Sequence, residues 1–208
     1  MGRRVHPDLV IELSLWDRGM SSIAGVDEAG RGPLAGPVVA AAVIFPRAVS
    51  IEGVDDSKQL TEQRREHLFQ LIQSRALSIG IGIVDHEVID RINILQATTV
   101  AMTKAIESLA LRPDFVLVDG NSFKHESWPY QNIVHGDARS FTIAAASIVA
   151  KVTRDRLMRE YHLRFPRYGF ASHKGYGTRQ HLEAIRKHGL CEIHRRSFRV
   201  HGNDKRTR

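Results

Sequence analysis

The 208-residue chain has a single cysteine, Cys191. That excludes an intramolecular disulfide and a cysteine-rich zinc site, and it fits a reducing compartment. No apolar run approaches the ~20 residues needed to cross a bilayer. The segment from Met1 to Val10 lacks an apolar stretch followed by small cleavage-site residues. No internal repeat or low-complexity linker interrupts the chain. These absences predict a soluble, cytoplasmic protein that does not touch a membrane. An excess of acid is missing too: 30 Lys and Arg stand against 23 Asp and Glu, for a net charge of +7 and a pI near 9.9. Modest attraction to polyanions follows, which alone does not establish nucleic-acid binding.

Against that basic background, four carboxylates sit at or just after short apolar runs. Asp27 and Glu28 follow Ile23–Val26, Asp119 ends Phe115–Val118, and Asp137 follows Asn132–Val134. A carboxylate at the mouth of a buried strand is costly to desolvate unless positive charge compensates. Several converging there repel one another, and oxygen-only ligation suits a hard divalent cation such as Mg2+. A metal site is the simplest physical explanation. For Asp137 a second reading stays open, because it precedes a long helix and could serve that helix's start.

The chain is long enough for one good core. The pattern predicts a short amphipathic helix over Leu9–Arg18, then strands over Ile23–Asp27, Val38–Phe45 and Leu77–Val84. A helix capped by Thr61 carries Leu68, Leu71 and Ile72 on its apolar face. One long helix is expected between Asp85 and Leu111, with Val88, Ile92, Leu95, Thr99, Met102, Ile106 and Leu109 on one side. Two short strands ending at Asp119 and near Val134 follow, then a long helix from Ser140 to about Phe165. Gly169–Gly177 reads as a loop, and Thr178–His188 as a polar helix. The sum is an α/β fold: a mixed five-stranded sheet flanked by helices. The expected division is a catalytic domain over 1–165 and a small helical region over 166–208 with a basic tail. Neighbouring strand residues face opposite sides, so Asp27 and Glu28 reach one metal only if the chain bulges at Glu28. Gly30 and Gly32 would permit that.

Gly30 to Ala35 also matches the dinucleotide fingerprint G-x-G-x-x-G/A. The context fails, because the β-branched, proline-bounded segment after it reads as a strand and not as the helix that would hold a pyrophosphate. The histidines His173, His181, His188 and His194 are scattered near the C-terminal end, without the spacing or acidic partners of a zinc site.

The segment Gly25–Val43, GVDEAGRGPLAGPVVAAAV, resembles the signature of type 2 ribonucleases H, the ribonuclease HII family. So do DSKQL at Asp56–Leu60, VDG at Val118–Gly120 and GD at Gly136–Asp137, as well as IAAASIVAKVTRD at Ile143–Asp155, GYGT at Gly175–Thr178 and HRRSF at His194–Phe198. The resemblance runs from about Ile23 to Phe198, in order. It implies an RNase H-like fold and endonucleolytic hydrolysis of RNA in RNA–DNA hybrids, including single ribonucleotides embedded in duplex DNA. The implied roles are ribonucleotide removal and primer degradation. Asp27, Glu28, Asp119 and Asp137 would hold two divalent cations, Mg2+ or Mn2+. Gly30, Arg31 and Gly32 would read the ribonucleotide, Tyr176 would pack against the following sugar, and Lys58 and Lys151 are candidate phosphate contacts. The implied partners are hybrid and ribonucleotide-containing duplexes, with the protein a monomer. Two departures stand out: His135, where the family usually has Lys, and Gly189–His194, which is less proline-rich than the family form. A rival reading is a non-catalytic module gripping a duplex with its basic half from Arg154 to Arg208. Four converging acids argue against it, since without metal they would repel the same phosphates.

Overall fold

The computed structural model describes residues 6–47 and 49–199. The expected basic tail from Asn203 lies outside them. Five strands form one mixed sheet in the order β3-β2-β1-β4-β5: β1 (Ile23–Ala29), β2 (Val38–Ile44), β3 (Ser78–Val84), β4 (Phe115–Asp119) and β5 (Tyr130–Ile133). β1 runs antiparallel to β2, and β2 to β3, whereas β1–β4 and β4–β5 are parallel. The helices are α1 (Val10–Asp17), α2 (Glu62–Arg75), α3 (His86–Ile92), α4 (Ile94–Glu107), α5 (Phe141–Arg164), α6 (Phe170–His173) and α7 (Arg179–His188).

The sheet is covered on both faces, which is why β2, Val-Val-Ala-Ala-Ala-Val-Ile, is apolar throughout and buried at every position. On one face Ala41 and Val43 pack against α2 and α5 through Leu68, Ile72, Ala145 and Val149. On the other, Val26, Ala40 and Ala42 meet α4 through Ala97, Ala101 and Ala105. Thr61 caps α2 as expected, accepting from the Arg64 N–H at 3.2 Å.

Three expectations need correction. The single helix over Asp85–Leu111 is two: Asn93, at φ +69°, ends α3, and its side chain caps α4 by accepting from Leu95 and Gln96 N–H. That break changes the buried face. Leu95 is exposed, and the sheet is met by Ala97, Thr98, Ala101, Met102, Ala105 and Ile106. The helix backbone comes so close to β3 that glycine is required at 80 and 82, where an added Cβ would lie 2.0 Å from the Ala105 or Ala101 carbonyl oxygen. The expected Gly169–Gly177 loop contains α6. The bulge expected at Glu28 is absent: β1 pairs one-to-one with β2 from Ala24↔Ile44 to Ala29↔Val39.

Candidate active site

Parallel pairing builds the acidic cluster. The β1–β4 register ends at Val26↔Val118, so the next residue on each strand, Asp27 and Asp119, emerges side by side at the same sheet edge. Asp137 arrives from the short 3-10 turn Gly136–Ala138, and the Gly136 N–H donates to Asp119 Oδ1 at 2.7 Å. One oxygen from each of Asp27, Asp119 and Asp137 lies within 4.8 Å of the others. Burial, then Glu28 and Asp119, push the Asp27 carboxyl well above the usual carboxylate range. Burial and Asp119 likewise raise Asp137 against the opposing pull of Lys58. Three oxygens of like charge held this close in a poorly solvated corner are the donor set that suits a hard divalent cation.

Glu28 stands outside this triad. Strand alternation points it to the opposite face, and its Oε1 accepts from Arg31 Nη1 at 3.2 Å. It nevertheless lines the same cleft as Asp27 without a bulge, and its backbone N–H donates to Asp27 Oδ1 at 2.6 Å. Burial raises its carboxyl and Arg31 partly offsets that.

Asp137 and the two lysines have distinct surroundings. The start of α5 is served elsewhere: Ser140 caps it by accepting from Ile143 N–H at 3.2 Å, and buried Glu12 of α1 accepts from Thr142 N–H at 3.0 Å. No such bond to the start of α5 comes from the Asp137 side chain among the described residues, and one of its oxygens faces Asp27 and Asp119. Lys58 sits 3.3 Å from Asp137 Oδ2, with its side chain 73% exposed. Burial would lower its ammonium, but Asp137 and Asp56 outweigh that and raise it. Lys151 faces the same cleft yet is already paired, 2.6 and 2.7 Å from the two oxygens of Asp155.

A single cleft gathers Asp27, Glu28, Gly30, Arg31, Gly32, Lys58, Asp119, Lys151 and Tyr176. The two loop glycines differ physically. At Gly30, φ is +100° and an added Cβ would lie 2.0 Å from Arg154 Nε. At Gly32 the only nearby atom is Tyr176 Cε1, at 3.6 Å, an ordinary contact. Gly30→Ala should therefore destabilise the fold by an amount typical of strained core changes, about 2 kcal/mol or more, and lower the melting temperature accordingly. Gly32→Ala should leave stability within about 0.5 kcal/mol of wild type and, if this glycine reads the ribonucleotide as the resemblance implies, impair ribonucleotide cleavage more than binding to plain duplex DNA. Thermal denaturation beside cleavage and binding assays checks both. A fallen melting temperature with parallel losses in Gly32→Ala would show that this glycine is only structural.

The family model described as Ribonuclease HII matches residues 24–201. The chain belongs to the ribonuclease HII family. It is 56% identical over 199 residues to a ribonuclease HII from Geobacter metallireducens, covering 92% of this chain and 93% of that protein. Among solved structures, ribonuclease H2 from Pyrococcus horikoshii OT3 superposes with a TM-score of 0.72 at 29% identity, over 86% of this chain and 94% of the other. The ribonuclease HII of the PCNA:RNase HII complex from Archaeoglobus fulgidus also reaches 0.72, at 26% identity, over 87% of this chain and 96% of the other.

Of the departures from the ribonuclease HII pattern, His135 is exposed in a left-handed conformation at φ +56° and leads directly into the Gly136–Ala138 turn. The other departure helps build a buried histidine chain. His173, His181 and His194 are not scattered but gathered: His173 and His181 stack with ring centroids 4.5 Å apart, and His194 lies tilted against His181 at 5.2 Å. Cys191 N–H donates to His194 Nδ1 at 2.9 Å, which directs the His194 proton from Nε2 to His181 Nε2 at 3.0 Å. His181 Nδ1–H then donates to the Tyr176 carbonyl at 2.9 Å. Each ring is thus neutral and used at both nitrogens, and the chain ends on the backbone of Tyr176.

Burial, then His181, lower His194 to about 4. Below the ordinary histidine value of 6.5 the unfolded chain takes up a proton that folded His194 refuses, so stability falls with acidification through that window, by on the order of 3 kcal/mol at pH 4. The melting-temperature gap between wild type and His194→Asn should narrow between about pH 7.5 and pH 5. A constant or widening gap in thermal scans would refute this.

Sequence reasoning also missed two buried arginines. Arg154 and Arg195 are 1% and 2% exposed. Arg154 donates to the carbonyls of Pro37, Lys174 and Ala35 at 2.9, 3.0 and 3.2 Å. Arg195 donates to those of Gly30, Arg31, Gly36 and Pro37 at 2.6 to 3.1 Å. Their only sequence signal was membership of the TRD and HRRSF motifs.

Proposed function

We propose that this chain, an endonucleolytic ribonuclease H acting on RNA–DNA hybrids, cleaves by two-metal phosphodiester hydrolysis and also acts at single ribonucleotides embedded in duplex DNA. The observation that carries the reading is the convergence of Asp27, Asp119 and Asp137 oxygens within 4.8 Å, with Asp27 and Asp119 lining a cleft shared with Gly30–Gly32 and Tyr176. The family is divalent-metal dependent, and Asp27, Asp119 and Asp137 would hold the ions, Mg2+ or Mn2+, with Glu28 joining once it leaves Arg31. Bound ions would supply an activated water and charge stabilisation for the leaving oxygen of an in-line displacement.

The chain's own residues do the rest. Asp27 and Asp119, fixed by the parallel ladder, define where the scissile phosphate sits. Gly32 presents backbone without a side chain, so the 2′-hydroxyl that distinguishes RNA from DNA can approach closely. Arg31, half exposed, is placed for a flanking phosphate. Tyr176 offers a ring face to the next sugar. Lys58 neutralises part of the acidic cluster and projects into the cleft, where a phosphate could share it.

The test is a duplex carrying one ribonucleotide, incubated with Mg2+, with Mn2+ or with chelator, and analysed for the ends produced. Metal-dependent cleavage beside the ribonucleotide, leaving a linear end, is expected. A 2′,3′-cyclic phosphate end would mean that the 2′-hydroxyl is the nucleophile and would overturn the water-attack mechanism. Duplex binding without product under every metal condition would favour the non-catalytic module instead.

A further inference from the structure

The segment Gly30–Pro37 turns its carbonyls toward the protein interior, where Arg195 collects four of them. Nη2 reaches Gly30 at 2.6 Å and Pro37 at 3.1 Å, Nη1 reaches Arg31 at 2.9 Å, and Nε reaches Gly36 at 2.9 Å. No carboxylate pairs with this guanidinium among the described residues. Its planar fork of donors is spent on backbone instead. Arg195 comes from the far end of the chain and is itself held in place. Its own N–H donates to the Leu34 carbonyl at 2.9 Å. Its neighbours Arg196 and Ser197 donate backbone N–H groups to the two oxygens of Asp90 on α3, at 2.8 and 2.9 Å. Phe198 lies against the guanidinium, 5.0 Å from the ring centre.

These contacts orient the loop. Every peptide bond in the described chain is trans, and in a trans peptide the C=O and the following N–H point in opposite directions. The Gly30 and Arg31 carbonyls face Arg195. The N–H groups of Arg31 and Gly32, which share those peptide planes, must therefore face away from it, toward the cleft that Gly30, Arg31 and Gly32 line. Neither donates to a protein acceptor among the described residues. We infer that Arg195 is a positioning residue for ribonucleotide selection: it locks two adjacent peptide planes so that the Arg31 and Gly32 N–H groups stand preorganised as donors to the ribonucleotide. Preorganised donors need no rearrangement when substrate arrives, and buried positive charge behind them strengthens their attraction for oxygen. The inference rests on the proposed role of Gly30–Gly32 as the ribonucleotide reader.

Arg195→Lys keeps the charge and loses the fork, so one ammonium cannot hold four carbonyls spread over two peptide planes. Binding is measured in Ca2+, to prevent turnover, for a duplex with one ribonucleotide and for the same duplex in all-deoxy form. The expected result is a roughly tenfold loss in the ratio of the two affinities, the equivalent of about one hydrogen bond, with all-deoxy binding little changed. If wild type discriminates and Arg195→Lys discriminates equally, or if both affinities fall in parallel, the inference fails alone. If wild type itself does not discriminate, the loop reading fails and takes the inference with it. A second measurement needs no variant. Hydrogen exchange on wild type should show the Arg31 and Gly32 amides open in the free protein and protected by the ribonucleotide duplex but not by the all-deoxy one. Protection in the free protein would overturn the inference whether or not Arg195→Lys folds.

Discussion

Asp27→Asn should reduce cleavage of an RNA–DNA hybrid by about a thousandfold or more while hybrid binding persists. The same change should make the metal-free protein more stable. Asp27 is buried, and its carboxyl is raised first by that burial and then by Glu28 and Asp119, so an uncharged isostere removes both desolvation and repulsion. The pH dependence has a definite sign. The folded value lies above the unfolded one, so between the two the folded state holds the extra proton. Stability of the metal-free protein therefore falls as pH rises through that window. Asp27→Asn should flatten that fall. Asp137→Asn should lose less activity, because Asp137 shares its oxygen with Lys58 at 3.3 Å and is less central to the strand pair. Single-turnover cleavage beside thermal melts in chelator across a pH series checks all of this. Near wild-type turnover in Asp27→Asn would remove it from the catalytic set.

Tyr176→Ala should be severe on a single embedded ribonucleotide and Tyr176→Phe mild. Tyr176 is 45% exposed, so removal of its ring opens no large cavity. What is lost is a face against which the following deoxyribose can pack. Misplacing the scissile phosphate by about 1 Å is enough to lower the rate on the order of a hundredfold. Long hybrids should suffer less, since other registers remain available along the RNA strand. The backbone of Tyr176 is held independently of its side chain, through its carbonyl and His181 Nδ1 at 2.9 Å, so the loop should keep its place in both variants. Rates for the two variants on both substrates at saturating Mg2+ decide the matter. Equal damage from Phe and Ala would show that the hydroxyl matters and the ring does not. A harmless Ala would remove the sugar contact from the mechanism.

Much of the site was legible because its signal is local. Strand-end aspartates after apolar runs need a compensating charge wherever the strands lie, and Gly30 marks a backbone position, at φ +100°, that only glycine adopts without strain. Asp27, Asp119 and Asp137 could be read as a cluster on that ground. Glu28 could not be placed so well. Alternation demanded a bulge that the ladder does not contain; Glu28 stays in register with Ala40 and its carboxylate turns to Arg31 in the shared cleft. Asn93 was unreadable as a break because the apolar spacing runs on through it; the interruption appears only where the α4 backbone closes on Gly80 and Gly82.

The sequence by itself made legible the convergence of Asp27, Asp119 and Asp137 and the mixed α/β architecture, because these depend on residue types and short spacings along the chain, and its motifs carried the resemblance to the family. Tertiary structure decided which groups hold these in place. The parallel register of β1 and β4 sets Asp27 beside Asp119. Glu12 and Ser140 serve the start of α5, and Asp137 turns an oxygen to Asp27 and Asp119. Arg195 reaches back to Gly30, and the buried histidines reach Tyr176. These contacts join residues up to 165 positions apart, and nothing in the local chemistry of an arginine or a histidine reveals which distant carbonyl it will hold.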